Sequence, residues 1–228
     1  MLENLDSTIN ILMNIVTVKT GTKYESNDVN ILYRNIYTDN FYCYTDDPEG
    51  LDPGIKVLSI KEEYEGVWNK LSLFDFDLGK VLYLDLDVVI QNNINELYNV
   101  DSFTLVSCYW KPLGELYDGY LDNLDHNINS SVMVWNGREN KHILDKFRED
   151  PEWYMLRYPG IDGFMFHEGI KYNVWPQGLI YSWKYGTDIT SWYTPAKVPY
   201  YLEDGLICLF NGDTDKKDRL DFFNLINN

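Results

Sequence analysis

The chain has 228 residues, 45% of them hydrophobic and 24% charged, a length and balance that suit one folded unit with a substantial core. Its 36 acidic residues against 19 basic ones leave a formal charge of −17, which excludes charge-driven binding to nucleic acid or to anionic membrane surfaces. The same field means that a phosphorylated ligand needs a divalent cation or a local cluster of donors beside it.

An apolar run from Ile9 to Val18 predicts a first buried strand, ended by Gly21. Ser26 is placed to cap a helix whose apolar positions, Val29, Leu32, Tyr33, Ile36 and Tyr37, fall on one face. Phe41 to Thr45 is β-rich and is closed by the turn residues Asp46-Asp47-Pro48-Glu49-Gly50. Ile55 to Ile60 predicts another strand, and Val67 to Phe76 a short helix carrying Trp68, Leu71 and Phe74. Val81 to Ile90 is the strongest strand signal, and it contains Asp85-Leu86-Asp87. Strands over Phe103–Tyr109 and Ser130–Asn136 follow, then a helix over Glu139–Asp150 with Ile143, Leu144 and Phe147 inward. This alternation predicts an α/β sandwich with a largely parallel sheet. After Pro151 the pattern breaks into short segments rich in Gly, Pro, Trp and Tyr, as expected of loops. No repeat, low-complexity tract or linker divides the chain, so residues 1–228 are read as one domain.

Cys43, Cys108 and Cys208 are odd in number, widely spaced and without a CxxC pair, and they read as buried free thiols of a reducing compartment. The N-terminus carries acid where a signal peptide needs base. No apolar run approaches the ~18 residues of a membrane span. The expected location is the cytoplasm, or a host's cytoplasm.

Asp85 and Asp87 carry the chemistry. Residues two apart on a strand point to one side, so both carboxylates can face one cation at the edge where open α/β sheets bind ligands. Mg²⁺ or Mn²⁺ held by these carboxylates and by substrate phosphate oxygens fits that arrangement. A hydrophobic strand followed by Asp-x-Asp also fits a haloacid-dehalogenase-type phosphatase, with one Asp as nucleophile and the other as acid/base. Gly212-Asp213 and Asp218 would then be its late acidic motif. Against this, about three strands and two helices precede the pair, whereas that nucleophile normally lies on the first strand.

Six segments occur in a meaningful order: Val16-Thr17-Val18-Lys19-Thr20-Gly21-Thr22-Lys23-Tyr24, Thr45-Asp46-Asp47-Pro48-Glu49-Gly50, Trp68-Asn69-Lys70-Leu71-Ser72-Leu73-Phe74, Leu82-Tyr83-Leu84-Asp85-Leu86-Asp87, Asn129-Ser130-Ser131-Val132-Met133, and Leu209-Phe210-Asn211-Gly212. Together they resemble the nucleotide-diphospho-sugar glycosyltransferases of the GT-A fold, in particular a bacterial and viral group related to glycosyltransferase family 8, the glycogenin-like enzymes. The resemblance implies a three-layer sandwich on a mixed, mostly parallel sheet. Its nucleotide-binding half would span about residues 1–100 and its acceptor-side half about residues 101–228. It implies transfer of a sugar from a nucleotide diphosphate, with UDP expected, to a hydroxyl acceptor with retention of configuration, dependent on Mn²⁺ or Mg²⁺.

Residue by residue, the resemblance places Thr17 and Tyr24 at the nucleotide base and Asp85-Leu86-Asp87 at the metal and diphosphate. It puts Lys70 at the sugar or diphosphate, Asn129 and Ser130 at sugar hydroxyls, and Asp162 near the reacting sugar carbon. The sequence departs from the family at Gly160-Ile161-Asp162-Gly163, where Ile161 resembles an insertion and the family's Gln is absent. It departs again at Leu209-Phe210-Asn211-Gly212, where the family's His is replaced and Asn211 is left as the third metal ligand. Lys216 and Lys217 partly keep the family's basic residues at the diphosphate. Trp110, Tyr117, Tyr120, Trp183 and Trp192 are candidate acceptor-side aromatics. A further reading is a sugar-nucleotide-binding protein of weak catalytic power that has lost its third metal ligand.

Overall fold

The computed structural model describes residues 13–36, 38–111, 126–189, 201–211 and 216–226. Its main sheet runs β3-β2-β1-β4-β7-β6-β8, from β1 (Asn14–Lys19), β2 (Phe41–Thr45), β3 (Lys56–Ser59), β4 (Lys80–Leu84), β6 (Thr104–Ser107), β7 (Ile128–Asn136) and β8 (Asn173–Val174). The pairs β1–β2, β2–β3, β1–β4 and β6–β8 are parallel, whereas β7 runs antiparallel to both β4 and β6. A smaller sheet orders β5 (Val88–Ile90), β10 (Ile207–Leu209) and β9 (Ile180–Ser182).

The near-continuous apolar run of β4 has the composition of a strand buried on both faces. Leu82 and Leu84 join one core with Ile15, Val132 and Val134, covered by Val29 and Leu32 of α1 (Ser26–Arg34) and by Leu97 of α2 (Asn95–Tyr98). Val81 and Tyr83 join the opposite core with Met133 and Trp135. That core is covered by the segment Gly66–Asp75, by α3 (Lys141–Phe147), α4 (Pro151–Arg157) and α5 (Ile161–His167). The fold is therefore a three-layer α/β sandwich on a mixed, mostly parallel sheet. A third cluster, with Val89, Tyr181, Cys208, Phe210 and Phe222, packs the small sheet against α6 (Lys216–Ile226). The three cysteines are free and buried. No helix among the described residues is long and apolar enough to cross a membrane.

Phe147 is fully buried in the second core, stacked on Trp68 at 5.0 Å with Phe164 edge-on at 5.8 Å. Phe147→Ala is expected to cost ~3–5 kcal/mol through lost transfer energy and the cavity left behind. Urea denaturation checks this.

Several boundaries differ from expectation. The first strand begins at Asn14 in the described part; residues 9–12 and Tyr37 lie outside it. The helix cap is Glu25, not Ser26: Asp28 accepts from the Glu25 amide at 2.9 Å, while the Ser26 hydroxyl donates to the Glu49 carbonyl. Gly66–Asp75 winds as a 3₁₀ helix. Trp68, Leu71 and Phe74, three apart, stack on one side in that winding, and all three are buried. The helix expected over Glu139–Asp150 is α3 alone, because Asp150 caps a new helix: its carboxylate accepts from the Trp153 amide, and Pro151 stands in the first turn. The stretch after Pro151 then holds α4 and α5 rather than loops alone.

The largest correction concerns Val81–Ile90, which is not one strand. β4 ends at Leu84, Asp85-Leu86-Asp87 forms a turn, and β5 begins at Val88 in the other sheet. Apolar runs on both sides conceal the break, because each half is buried in a different sheet.

Candidate functional site

β1 lies between β2 and β4, so the chain leaves β1 toward one side of the sheet and later returns on the other. Open α/β sheets bind ligands at such a switch point, beyond the carboxyl ends of the strands. Here a cleft of about 190 Å³ is lined by Val18 near the end of β1 and Thr20 just after it, by Lys23 and Tyr24, by Val67 and Lys70, and by Tyr83 to Asp87 save Leu84.

The acidic turn is pinned on both sides. The Asp85 amide donates to the Ser131 carbonyl at 2.8 Å, continuing the β4–β7 ladder. The Phe210 amide donates to the Asp87 carbonyl at 3.0 Å, which begins the small sheet. Lys70 Nζ lies 2.8 Å from Asp85 Oδ2 and 3.5 Å from Ser130 Oγ. The Tyr83 hydroxyl donates to Asp85 Oδ1, and the Tyr24 hydroxyl to Asp87 Oδ2 at 3.0 Å. Burial, and then the charge of Asp87 or Asp85, raises both tyrosines above the ordinary phenol range, so each remains a donor. Asp87 is raised by burial and by the neighbouring Asp85 charge, against the pull of Lys70, Lys23 and the Tyr24 hydroxyl.

The β6–β7 register shifts between Leu105, opposite Met133, and Val106, opposite Asn129. Ser130 to Val132 are thus released from that ladder, and the Ser130 amide turns to Asp162 Oδ1 at 2.9 Å. Irregularities of this kind re-aim residues beside active sites. Asn129 Oδ1 accepts from the Ser131 amide at 2.9 Å. Antiparallel pairing of β10 with β5 brings Asn211, just past Phe210, to the Asp87 end of the turn, where the Ser182 hydroxyl donates to its Oδ1 at 2.8 Å.

The donors suit a hard divalent cation. Asp85 and Asp87 repel one another, and Asp87 Oδ1 accepts no hydrogen bond among the described residues. Among the described residues no cluster of three His, Cys, Asp or Glu forms, so any cation site here needs Asn211, phosphate or water to complete it.

No protein-family model matches the sequence, and no curated protein matches it. Solved structures do. Galactosyltransferase LgtC, in complex with donor and acceptor sugar analogues, superposes with a TM-score of 0.59 at 14% identity over 94% of this chain and 95% of its own. Glycosyltransferase GlyE of Streptococcus pneumoniae TIGR4 gives 0.57 at 12% identity over 94% of this chain, which spans 62% of the GlyE chain. A glycosyltransferase involved in glycosylation of the major capsid of PBCV-1 gives 0.51 at 13% identity, covering 92% and 98%. The chain has the fold of these glycosyltransferases.

Within this glycosyltransferase fold, Lys70, Tyr24, Asp85, Leu86 and Asp87 line one cleft, and Ser130 joins it through Lys70. Asp162 adjoins through the Ser130 amide, in the first turn of α5. Thr17 does not line the cleft. Strand alternation puts its side chain, fully buried, on the opposite side from Val18, and Val18 and Thr20 form the wall instead. Lys216 is engaged elsewhere, 3.0 Å from Asp28 Oδ2, and Lys217 is exposed on α6. Trp110 is core, 2% exposed, and Trp183 stacks on Phe210 at 5.3 Å. Tyr117, Tyr120, Trp192, Gly212 and Asp213 lie outside the described residues. Tyr83, Lys23 and Val67 also line the cleft and were missed by sequence reasoning. The signal for Tyr83 was present, since it precedes Asp85 by two positions on the same strand side.

Proposed function

We propose that the chain is a divalent-cation-dependent glycosyltransferase that moves a sugar from a nucleoside diphosphate, with UDP as the nucleotide, to a hydroxyl acceptor. The observation that carries this reading is the acidic turn at the switch point, with Lys70 2.8 Å from Asp85 and Tyr24 3.0 Å from Asp87. In this reading Asp85 and Asp87, with Asn211, hold Mn²⁺ or Mg²⁺. When bound, the cation supplies Lewis-acid stabilisation of the departing diphosphate. Lys70 exchanges its carboxylate for phosphate oxygens and shares their charge as the glycosidic bond breaks. The Tyr24 ring offers a face to the base, while Asn129 and Ser130 bond sugar hydroxyls in fixed directions. Asp162 holds the Ser130 amide and so fixes that strand edge. Lys216 and Lys217, once released from the partners they hold in the free chain, extend the positive side of the site. Retention of configuration, by attack of the acceptor hydroxyl on the leaving-group side, is the outcome the motif resemblance supports. The likeness in fold to LgtC, a galactosyltransferase solved in complex with donor and acceptor sugar analogues, supports this reading.

In the phosphatase reading Asp85 would be the nucleophile, yet its two oxygens already accept from Lys70 and Tyr83, and Asp218 lies on α6 away from the cleft lining. Melting temperatures with Mn²⁺ alone, UDP alone and both together test the proposal. Joint stabilisation is expected, ~2.7 kcal/mol at a hundredfold excess over Kd, and is expected to disappear in Asp85→Ala. No response to UDP with or without metal, together with hydrolysis of phosphate esters, would overturn it. UDP binding without turnover of any sugar donor would instead mark a binding protein.

A further inference from the structure

Arg219 lies on α6 and does not line the cleft, yet it reaches the centre of the acidic turn. Its Nη1 donates to the carbonyl oxygen of Leu86, the residue between Asp85 and Asp87. Its Nη2 donates to Asp28 Oδ1 at 2.6 Å. Leu86 sits between the two sheets, with the Asp85 amide taken by β7 and the Asp87 carbonyl by Phe210, so its carbonyl has no backbone partner among the described residues. A carbonyl buried there without a donor is costly.

The other arm of Arg219 completes a circuit. Asp28, whose side chain is 0% exposed, accepts at Oδ2 from the Glu25 amide at 2.9 Å and from Lys216 Nζ at 3.0 Å. Glu25 directly follows Tyr24, whose hydroxyl holds Asp87 at 3.0 Å. One rigid guanidinium fork thus ties the backbone between the two aspartates to the helix start that presents Tyr24 to the second of them. A lysine ammonium, a point donor on a flexible stem, does not reproduce a fork held at two fixed partners.

We propose that Arg219 is a positioning residue of the acidic turn, setting the relation of Asp85 to Asp87 from behind the cleft. The proposal rests on the reading of those aspartates as a cation pair. Residues that hold metal ligands from behind typically change metal affinity about 10–100-fold when removed.

The test uses the full chain. Mn²⁺ affinity is measured in the presence of UDP, from the electron paramagnetic resonance of free Mn²⁺, for the wild type, Arg219→Lys, Arg219→Ala and Phe223→Ala. Amide hydrogen exchange of segment 84–90 is followed in the same proteins without ligand. Phe223→Ala removes apolar packing of α6 but no bond to Leu86, and it controls for simple loosening of the helix. Arg219→Lys keeps a cation beside Asp28 and serves if the alanine variant does not fold. The expected result is Mn²⁺ affinity lowered roughly tenfold or more in both Arg219 variants and less than about twofold in Phe223→Ala, with faster exchange in segment 84–90 only when Arg219 is changed. Equal loss of Mn²⁺ affinity in Phe223→Ala, or unchanged exchange in the Arg219 variants, would overturn the proposal. Should the wild type bind no Mn²⁺ with UDP, the functional reading fails instead. Exchange then decides whether Arg219 holds the turn: faster supports it, unchanged overturns it.

Discussion

Asp87→Asn will raise the melting temperature of the free chain at neutral pH and remove the further rise that Mn²⁺ and UDP produce together. Asp87 is raised by burial and by the adjacent charge of Asp85, and Lys70, Lys23 and Tyr24 offset this only in part. A carboxyl raised in the fold favours the native state most when protonated. That contribution is fully present below the ordinary carboxylate value and is lost as pH rises through the folded value. Ionised Asp87 therefore costs stability at pH 7, and the neutral amide removes the cost while keeping an oxygen for the Tyr24 hydroxyl. A gain on the order of 1 kcal/mol raises the midpoint by roughly 2–4 °C in a chain of this size. The gain over wild type narrows in acid, where Asp87 is already neutral. Scanning calorimetry at pH 7 and pH 3.5, with and without Mn²⁺ and UDP, checks both parts. A variant less stable than wild type at pH 7, or one still stabilised jointly by metal and nucleotide, would contradict the reading of the pair.

A change at Asp28 should act in the opposite sense. Asp28→Ala leaves Arg219 and Lys216 without their shared carboxylate, and Arg219 is 10% exposed in its side chain. Removing one partner of a buried pair typically costs ~3–5 kcal/mol because the remaining charge is left desolvated. Burial by itself would raise Asp28, but the Glu25 amide, Lys216 and Arg219 outweigh it and hold the carboxyl below its usual range. The stability it contributes is present above the ordinary carboxylate value and is lost as pH falls through the lowered folded value. The difference between wild type and variant is thus largest near neutrality and closes in acid. Urea unfolding at pH 7 and pH 3 measures it, and a loss below ~1 kcal/mol at pH 7 would show that the pair is not the strut it is taken to be.

These two aspartates also show how unevenly the site could be read beforehand. Asp87 stood out because it lies two positions after another aspartate, with apolar residues on both sides. Asp28 carried no such local signal, since its partner Arg219 is 191 residues away. Lys70 was named through motif resemblance, and its contact with Asp85 depends on a 3₁₀ winding that its apolar spacing allowed but did not require. Thr17 was misplaced by one position. Strand alternation puts its side chain in the core and that of Val18 at the cleft, so a one-residue error moves a residue from one face of the sheet to the other.

By itself the sequence determined the alternation of strands and helices, a buried apolar strand beginning at Val81, and the acidic pair that follows its first four residues. Those features depend on local periodicity and on apolar runs, which neighbouring residues express directly. Only the tertiary structure decided that the pair lies on a turn between two sheets, that a shift in the β6–β7 register frees Ser130 for Asp162, and that Arg219 holds Leu86 from behind. Each of these depends on which strand or helix lies alongside, and burial in one sheet or another leaves the same apolar composition.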